Sequence, residues 1–230
     1  MRAPQVKTQT FLGNLPLFQE MTADELDRIA AGTTELRVPK GRMIFQRGDP
    51  CVGFHVVVYG QVKLAFVSSQ GSEKVVEIIG PGHSFGEALM FTDRPYVVYA
   101  QALADTLLLH IAKSTIDSEI AREPRLARHM IAGLSRRLHG LIQDVEAYSL
   151  RSGMQRVIGY LLRDVDETPH GEGPVRVVLD ANKGVIASRL NLTPEHFSRI
   201  LAELTHEGLI EVHGAQIEVR DLQRIRQSLA

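Results

Sequence analysis

In the run TPEHFSRIL, Thr193–Leu201, a carboxylate (Glu195) and a guanidinium (Arg199) stand four residues apart, with the hydroxyl of Ser198 beside the second. Residues spaced by three or four share one face of a helix, so Glu195, Ser198 and Arg199 predict one polar face. That set suits the edges of base pairs: Arg pairs bidentately with guanine O6 and N7, Glu accepts from cytosine N4, and Ser serves either way. The bland alternative is a solvated Glu–Arg pair worth roughly 0.2–0.5 kcal/mol. The surrounding residues decide between the two. Thr193 is placed to cap a helix and Pro194 to occupy its first position, while Ile200, Leu201 and Leu204 fall on the opposite face and Gly208 ends it. Before it, Ile186, Ala187 and Leu190 make a short helical face and Asn191–Leu192 a turn. After it, Leu209–Val212, Gly214 and Ile217–Val219 predict a hairpin. Helix, turn, capped helix and hairpin in that order make a winged helix-turn-helix, whose second helix enters the major groove of DNA by its N-terminal end.

Histidine is the other residue type here that carries chemistry. His55, His83, His129 and His139 are candidate metal ligands, and no spacing selects one of them; His196 and His206 sit on the helix-turn-helix and are set aside. The single cysteine, Cys51, excludes an internal disulfide and any all-cysteine zinc or iron–sulfur site within one subunit. A cupin-like metalloenzyme would need an HxH cluster, and His55, His83 and His110 read as isolated, so no enzyme is expected.

The elements that must position these groups follow from periodicity. Thr22 and Glu25 form a capping-box pattern at the start of a short helix, with Leu26 and Ile29 facing inward and Gly32 stopping it. From Glu35 to Ile111 the pattern turns to period two. The runs Phe54–Tyr59, Gln61–Val67, Lys74–Ile79, Tyr96–Ala102 and Thr106–Ile111, punctuated by glycines, predict a β-roll that is either structural or holds a ligand in its mouth. A long helix starts near Pro124. Along it Leu126, Met130, Leu134, Leu138, Leu141, Val145 and Tyr148 predict a heptad seam, with Arg128, Arg136, Arg137, Gln143 and Asp144 outside it and Ile131 and Ile142 turned toward the roll. Such a helix either packs on its own domain or pairs with a second copy; its length and its place between two domains favour a parallel homodimer. A polar break at Leu150–Gly153, a helix to Arg163, a surface loop over Asp164–Pro174 and a strand at Val175–Leu179 complete the chain. The expected class is α+β: a sensor β-roll over 1–122, a dimerisation helix over 123–150 and a winged helix-turn-helix over 151–230.

Composition sets the outer bounds. The chain has 230 residues, 44% hydrophobic and 23% charged, which suits two modest domains with ordinary cores. Its net charge of −1 counts mildly against nucleic acid, although a few well-placed cations suffice. No apolar run reaches the roughly 20 residues of a membrane span and the first ten residues lack an apolar signal region, so a cytoplasmic location with no membrane partner is expected.

These motifs resemble the Crp/Fnr superfamily of transcription regulators over nearly the whole chain. TPEHFSRIL is similar to the family's recognition helix in its Fnr-like form. The resemblance implies that Glu195, Ser198 and Arg199, with Thr193 and Pro194 at the helix start, meet DNA at an inverted repeat of the type TTGAT–N4–ATCAA. It implies a homodimer paired through Leu134, Leu138, Leu141 and Val145, and contact with RNA polymerase. PGHSFGEALMF (Pro81–Phe91) resembles the loop of a cyclic-nucleotide-binding roll, with Gly86 and Glu87 as its Gly-Glu. Cyclic AMP-binding members carry a phosphate-holding Arg where Tyr96 stands, with Arg94 nearby, and the positions that meet the adenine in them match Leu141 and Ile142, both apolar here. Gly86, Glu87, Tyr96, Leu141 and Ile142 are thus the implied pocket residues, and cyclic AMP is disfavoured because Tyr supplies no fixed charge. The N-terminal cysteine cluster of iron–sulfur members is absent. GEALMFTDRPYVVYAQA and EHFSRI are most similar to the Dnr-type subgroup, which implies haem as cofactor, nitric oxide as effector and denitrification genes as targets. A regulator of the same fold answering to a cyclic nucleotide, to another ligand or to none stays open, as does a cyclic-nucleotide module without DNA binding, against which the complete winged motif weighs.

Overall fold

The computed structural model describes residues 8–18, 21–163, 165 and 174–228. The chain divides into two compact units, Met1–His139 and Gly140–Ala230.

In the first unit, eight strands form two four-stranded sheets. One sheet has the order β1 (Thr33–Val38), β8 (Thr106–Ala112), β3 (Gly53–Tyr59), β6 (Ser84–Phe85). The other runs β2 (Met43–Phe45), β7 (Tyr99–Ala102), β4 (Val62–Val67), β5 (Glu73–Ile79). The two layers make the expected roll. Alternation along β3 and β8 explains why these strands read as near-continuous apolar runs: both faces are covered. Phe54, Val56, Leu109 and Ile111 face a helical layer built from α1 (Thr8–Gly13), α2 (Ala23–Ala31), α4 (Lys113–Arg122) and the start of α5 (Arg125–Leu150). Val57 and Leu108 turn the other way, into the roll with Phe45, Phe85 and Tyr96.

Local signals account for α2. Glu25 N–H donates to Thr22 Oγ1 at 3.4 Å, and Thr22 N–H donates to Glu25 Oε2 at 2.6 Å, which is the reciprocal capping box. Gly32 caps the helix, and a Cβ there would lie 1.9 Å from Thr115 Oγ1, so the close approach of α4 requires glycine. The same two helices are joined by Arg28, whose Nε donates to both carboxylate oxygens of the buried Glu119 at 2.8 and 3.0 Å. Strands β1, β2 and β6 and helices α1 and α4 lie outside the expected runs, and β7 starts at Tyr99, three residues later than predicted.

Helix α5 shortens the predicted seam. Leu126 and Met130 are buried in the first unit's core, and Tyr148 hydrogen-bonds within the second, so the expected seam is committed to its own chain at both ends. Ile131 and Ile142, expected against the roll, are 61% and 57% exposed. With exposed Leu138, Leu141 and Val145 they give a stripe at 131, 138, 141/142 and 145, and half-buried Leu134 completes a spacing of three, four, three and four from Ile131. The heptad is real but shorter, and it starts at Ile131 because β3 and α1 claim the apolar residues of the first turns.

The second unit holds α6 (Gly153–Leu162), α7 (Lys183–Arg189), α8 (Pro194–His206), α9 (Leu222–Gln227) and a three-stranded sheet in the order β10 (Ile210–His213), β11 (Gln216–Val219), β9 (Val175–Val178). Its core gathers Val157, Ile158 and Leu161 of α6, Ile186 and Ala187 of α7, and Phe197, Ile200, Leu201 and Leu204 of α8 over Ile210 and Ile217 of the hairpin. The surface loop predicted over Asp164–Pro174 lies outside the described residues apart from Val165 and Pro174.

Candidate functional site

The helix that carries the polar face is α8, and its N-terminus is built as the residue order predicts. Thr193 is extended, its Oγ1 accepts from His196 N–H at 3.2 Å, and Pro194 follows at the first helical position. Asn191 adopts a left-handed conformation (φ 57°), which lets the chain reverse between α7 and α8 within four residues. The inner face, Phe197, Ile200, Leu201 and Leu204, is at most 3% exposed; Phe197 belongs to it although the spacing argument passed over it. Glu195, Ser198 and Arg199 all lie on the exposed face. Glu195 and Arg199 do not pair with each other, and neither makes a hydrogen bond or ion pair with another described residue. One face of a capped helix thus presents an acceptor, a hydroxyl and a five-donor fork at the end whose free N–H groups also favour phosphate.

The roll carries the second candidate site. A cavity of about 400 Å³ opens between the roll and the first turns of α5. Its apolar wall is Leu15, Pro16, Leu17, Val56, Met130 and Leu134; its polar wall is His83, Ser84, Glu77, Glu87, Arg136 and Arg137. Arg137, which sequence spacing left outside any role, is the hub. Its Nη1 donates to the Ser84 carbonyl at 3.0 Å, its Nη2 pairs with Glu77, and Glu87 Oε1 lies 3.6 Å from Nη1. Ser84 Oγ donates to Glu87 Oε1 at 2.9 Å, and Glu87 Oε2 is buried with no hydrogen-bond partner among the described residues. No local signal could have found this pairing, because Arg137 and Glu77 are sixty residues apart in the chain.

The implied pocket residues separate in the structure. Glu87 lines the cavity; Gly86, at φ 99°, starts the short helix α3 (Glu87–Met90) without lining it. Tyr96 is turned into the roll, stacked on Phe45 with ring centroids 3.5 Å apart, and its hydroxyl donates to the Gly53 carbonyl at 3.4 Å. Burial pushes its phenol far above the ordinary value, and Cys51, Asp49 and Glu87 add to the shift. Leu141 and Ile142 are exposed on α5 and do not line the cavity.

The four candidate histidines separate as well. His55 is 6% exposed inside the roll, His129 borders a separate small crevice with Met21 and Glu25, and His139 is exposed on α5. Only His83 lines the large cavity. Its Nδ1 donates to the Pro81 carbonyl at 3.1 Å, which leaves Nε2 as the nitrogen with a lone pair for a metal. His55 and His110 are not isolated: they are paired across β3 and β8, with ring centroids 4.7 Å apart. Among the described residues no three His, Cys, Asp or Glu side chains are grouped to hold a bare metal ion, and no helix is long and apolar enough to cross a membrane.

Comparison with known proteins agrees with both halves. Residues 35–123 match the cyclic nucleotide-binding domain family and residues 155–228 the Crp-like helix-turn-helix domain family. The cyclic AMP receptor protein of Thermus thermophilus is 28% identical over 206 residues, covering 90% of this chain and 93% of that one. The transcriptional activator protein anr of Pseudomonas aeruginosa is 26% identical, covering 86% and 80%. Among solved structures, DNR from Pseudomonas aeruginosa is 31% identical over 98% of this chain and 99% of its own, with a TM-score of 0.53. A roll with a walled cavity, a long helix with an exposed apolar stripe and a capped helix with an unspent Glu–Ser–Arg face, matched along nearly their whole length to such regulators, make this chain a member of the Crp/Fnr family of DNA-binding transcription regulators.

Proposed function

We propose that the protein is a homodimeric transcription activator of the Dnr type, in which haem held by the roll reports nitric oxide and the paired α8 helices read an inverted repeat of the form TTGAT–N4–ATCAA. The observation that carries the DNA half is the exposed, unpaired face of Glu195, Ser198 and Arg199 on a capped helix. Contact with RNA polymerase and control of denitrification genes rest on the resemblance to the family. Two copies joined through the α5 stripe would present their α8 helices about 34–36 Å apart, one turn of DNA. Leu138→Glu places a charge on that stripe; it should shift the protein from dimer to monomer in sedimentation at micromolar concentration, and an unchanged dimer would move the interface elsewhere.

For haem, the cavity offers an apolar wall, one imidazole with Nε2 available, and Arg136 for a propionate, while Arg137 is engaged by Glu77 and Glu87. His83 would hold the iron, and haem would supply an open iron position for a diatomic gas. The residues themselves orient the ligand through Pro81 and keep water from its apolar side. Ligand binding then biases a two-state equilibrium of the dimer by its differential affinity for the two forms. Titration of the purified protein with haemin should give a saturable Soret band, lost or shifted in His83→Ala and kept in His139→Ala. No such band at stoichiometric haem removes this reading.

A second reading, a cyclic-nucleotide effector, is favoured by the domain match over 35–123. Against it, Tyr96 is buried in the roll core and Arg137 is already held by Glu77 and Glu87, so a cyclic phosphate would have to displace a carboxylate. Calorimetry with cyclic AMP and cyclic di-GMP separates the two readings.

A further inference from the structure

We infer that Asp144, Tyr148 and Arg189 are positioning residues for the DNA-reading helix: they set affinity and specificity without touching DNA. The inference rests on α8 being the reading element. Asp144 and Tyr148 lie four residues apart on one face of α5, and both grip Arg189, the last residue of α7. Arg189 Nη2 donates to Asp144 Oδ2 at 2.7 Å, its Nη1 donates to the Tyr148 hydroxyl at 2.5 Å, and that hydroxyl donates back to the Arg189 carbonyl at 2.5 Å. The circuit is closed, so the side chain of Arg189 cannot rotate without breaking a charge-assisted bond, nor its carbonyl without losing the Tyr148 hydroxyl. The next two carbonyls, of Leu190 and Asn191, accept from Arg156 Nη1 of α6 at 2.7 and 3.2 Å. Three successive carbonyls at the end of α7 are therefore held by side chains from two other helices, and only Leu190, Asn191 and Leu192 separate Arg189 from the cap of α8. Fixing Arg189 fixes where α8 begins. Because α5 also carries the exposed apolar stripe, the helix that would pair two copies is bonded to the turn that aims the reading helix.

The test uses full-length Asp144→Asn, Tyr148→Phe, Arg189→Gln and the double Asp144→Asn/Arg189→Gln. Each is measured for binding to the palindromic duplex and to a random duplex at several salt concentrations, with thermal unfolding alongside. Arg189→Gln should weaken palindrome binding about tenfold with less than about twofold change on random duplex. The salt slope should stay that of the parent, and the double variant should bind like Arg189→Gln alone. Tyr148→Phe removes one hydroxyl, keeps the fold, and should show a smaller loss of the same palindrome-selective kind. Equal losses on both duplexes with a shallower salt slope would make Arg189 a phosphate contact; losses that multiply in the double variant, or that track the melting temperature, would make the circuit merely structural. Either result overturns the inference. Parent protein that ignores palindromes would instead sink the DNA-reading role of α8.

Discussion

Arg199→Ala should lower affinity for a palindromic duplex by roughly 2–6 kcal/mol if, as proposed, a two-fold complex loses the contact twice at roughly 1–3 kcal/mol each. The size follows from what Arg199 does in the free protein. It is exposed on α8 and bonded to no other described residue, so no internal interaction must be broken before it reaches a base, and none is lost from the fold when it is removed. The inner face of α8 stays packed by Phe197, Ile200, Leu201 and Leu204, and the melting temperature should hold. The informative measurement is a set of duplexes with each position of the half-site changed in turn. Arg199→Ala should lose discrimination at one base pair per half-site and keep it at the others. A uniform loss on every sequence, with the salt slope reduced by about one per half-site, would demote Arg199 to a phosphate contact and leave Glu195 and Ser198 to carry the readout.

The reading helix was legible in the sequence because its signals are local: Thr193, Pro194, Gly208 and the apolar positions all lie within sixteen residues. Its cap, its start and its buried face follow from backbone hydrogen bonding and helical period alone. The roll was legible as a class for the same reason, through alternation and turn glycines. What escaped depends on pairings across long stretches of chain. Where the α5 stripe begins turns on whether Leu126 and Met130 meet a helical layer that includes Leu12 and Ile29, and no window on α5 contains that fact. Arg137 acquires its role only when β5 and the Ser84–Glu87 segment are brought beside α5. Tyr96, matched to a pocket position by residue order, stacks on Phe45, fifty-one residues earlier, and leaves the cavity to Glu87 and His83 of the Pro81–Phe91 motif and to arginines of α5 that no motif pointed to. Histidines 55 and 110 read as singles and become neighbours because β3 and β8 are antiparallel in a register that sets them opposite each other.

That histidine pair sets the protein's response to acid. His55 is buried in the roll, its ring stacked on Phe85 at 5.1 Å and beside Phe45 at 5.9 Å, and its Nδ1 has no hydrogen-bond partner among the described residues. Burial, with a smaller contribution from His110, holds its pKa down at about 3; His110, half-buried, is lowered by the same desolvation. The direction of the effect follows from linkage. Below pH 6.5 the unfolded chain takes up a proton at His55 that the folded roll refuses until about pH 3, so the unfolded state binds more protons and stability falls as the pH falls. The slope approaches 1.4 kcal/mol per pH unit for one such group, so lowering the pH from 6.5 to 5 should cost the roll about 2 kcal/mol from His55, with His110 adding to it. Carboxylates whose pKa is lowered, Glu25 and Glu73 among them, contribute their losses only below about pH 4.5, which leaves the window from 6.5 to 5 to the histidines. Amide exchange of β3 and β8 measured at pH 7, 6 and 5, corrected for intrinsic rates, reports opening of the roll separately from the C-terminal unit. In His55→Phe, which keeps an aromatic ring against Phe85 and removes the titrating group, the pH dependence should shrink to the contribution of His110. A parent profile that is flat across this window, or a variant profile as steep as the parent's, would mean that the roll accommodates a charged imidazole at position 55, and that the aromatic pocket around it admits water.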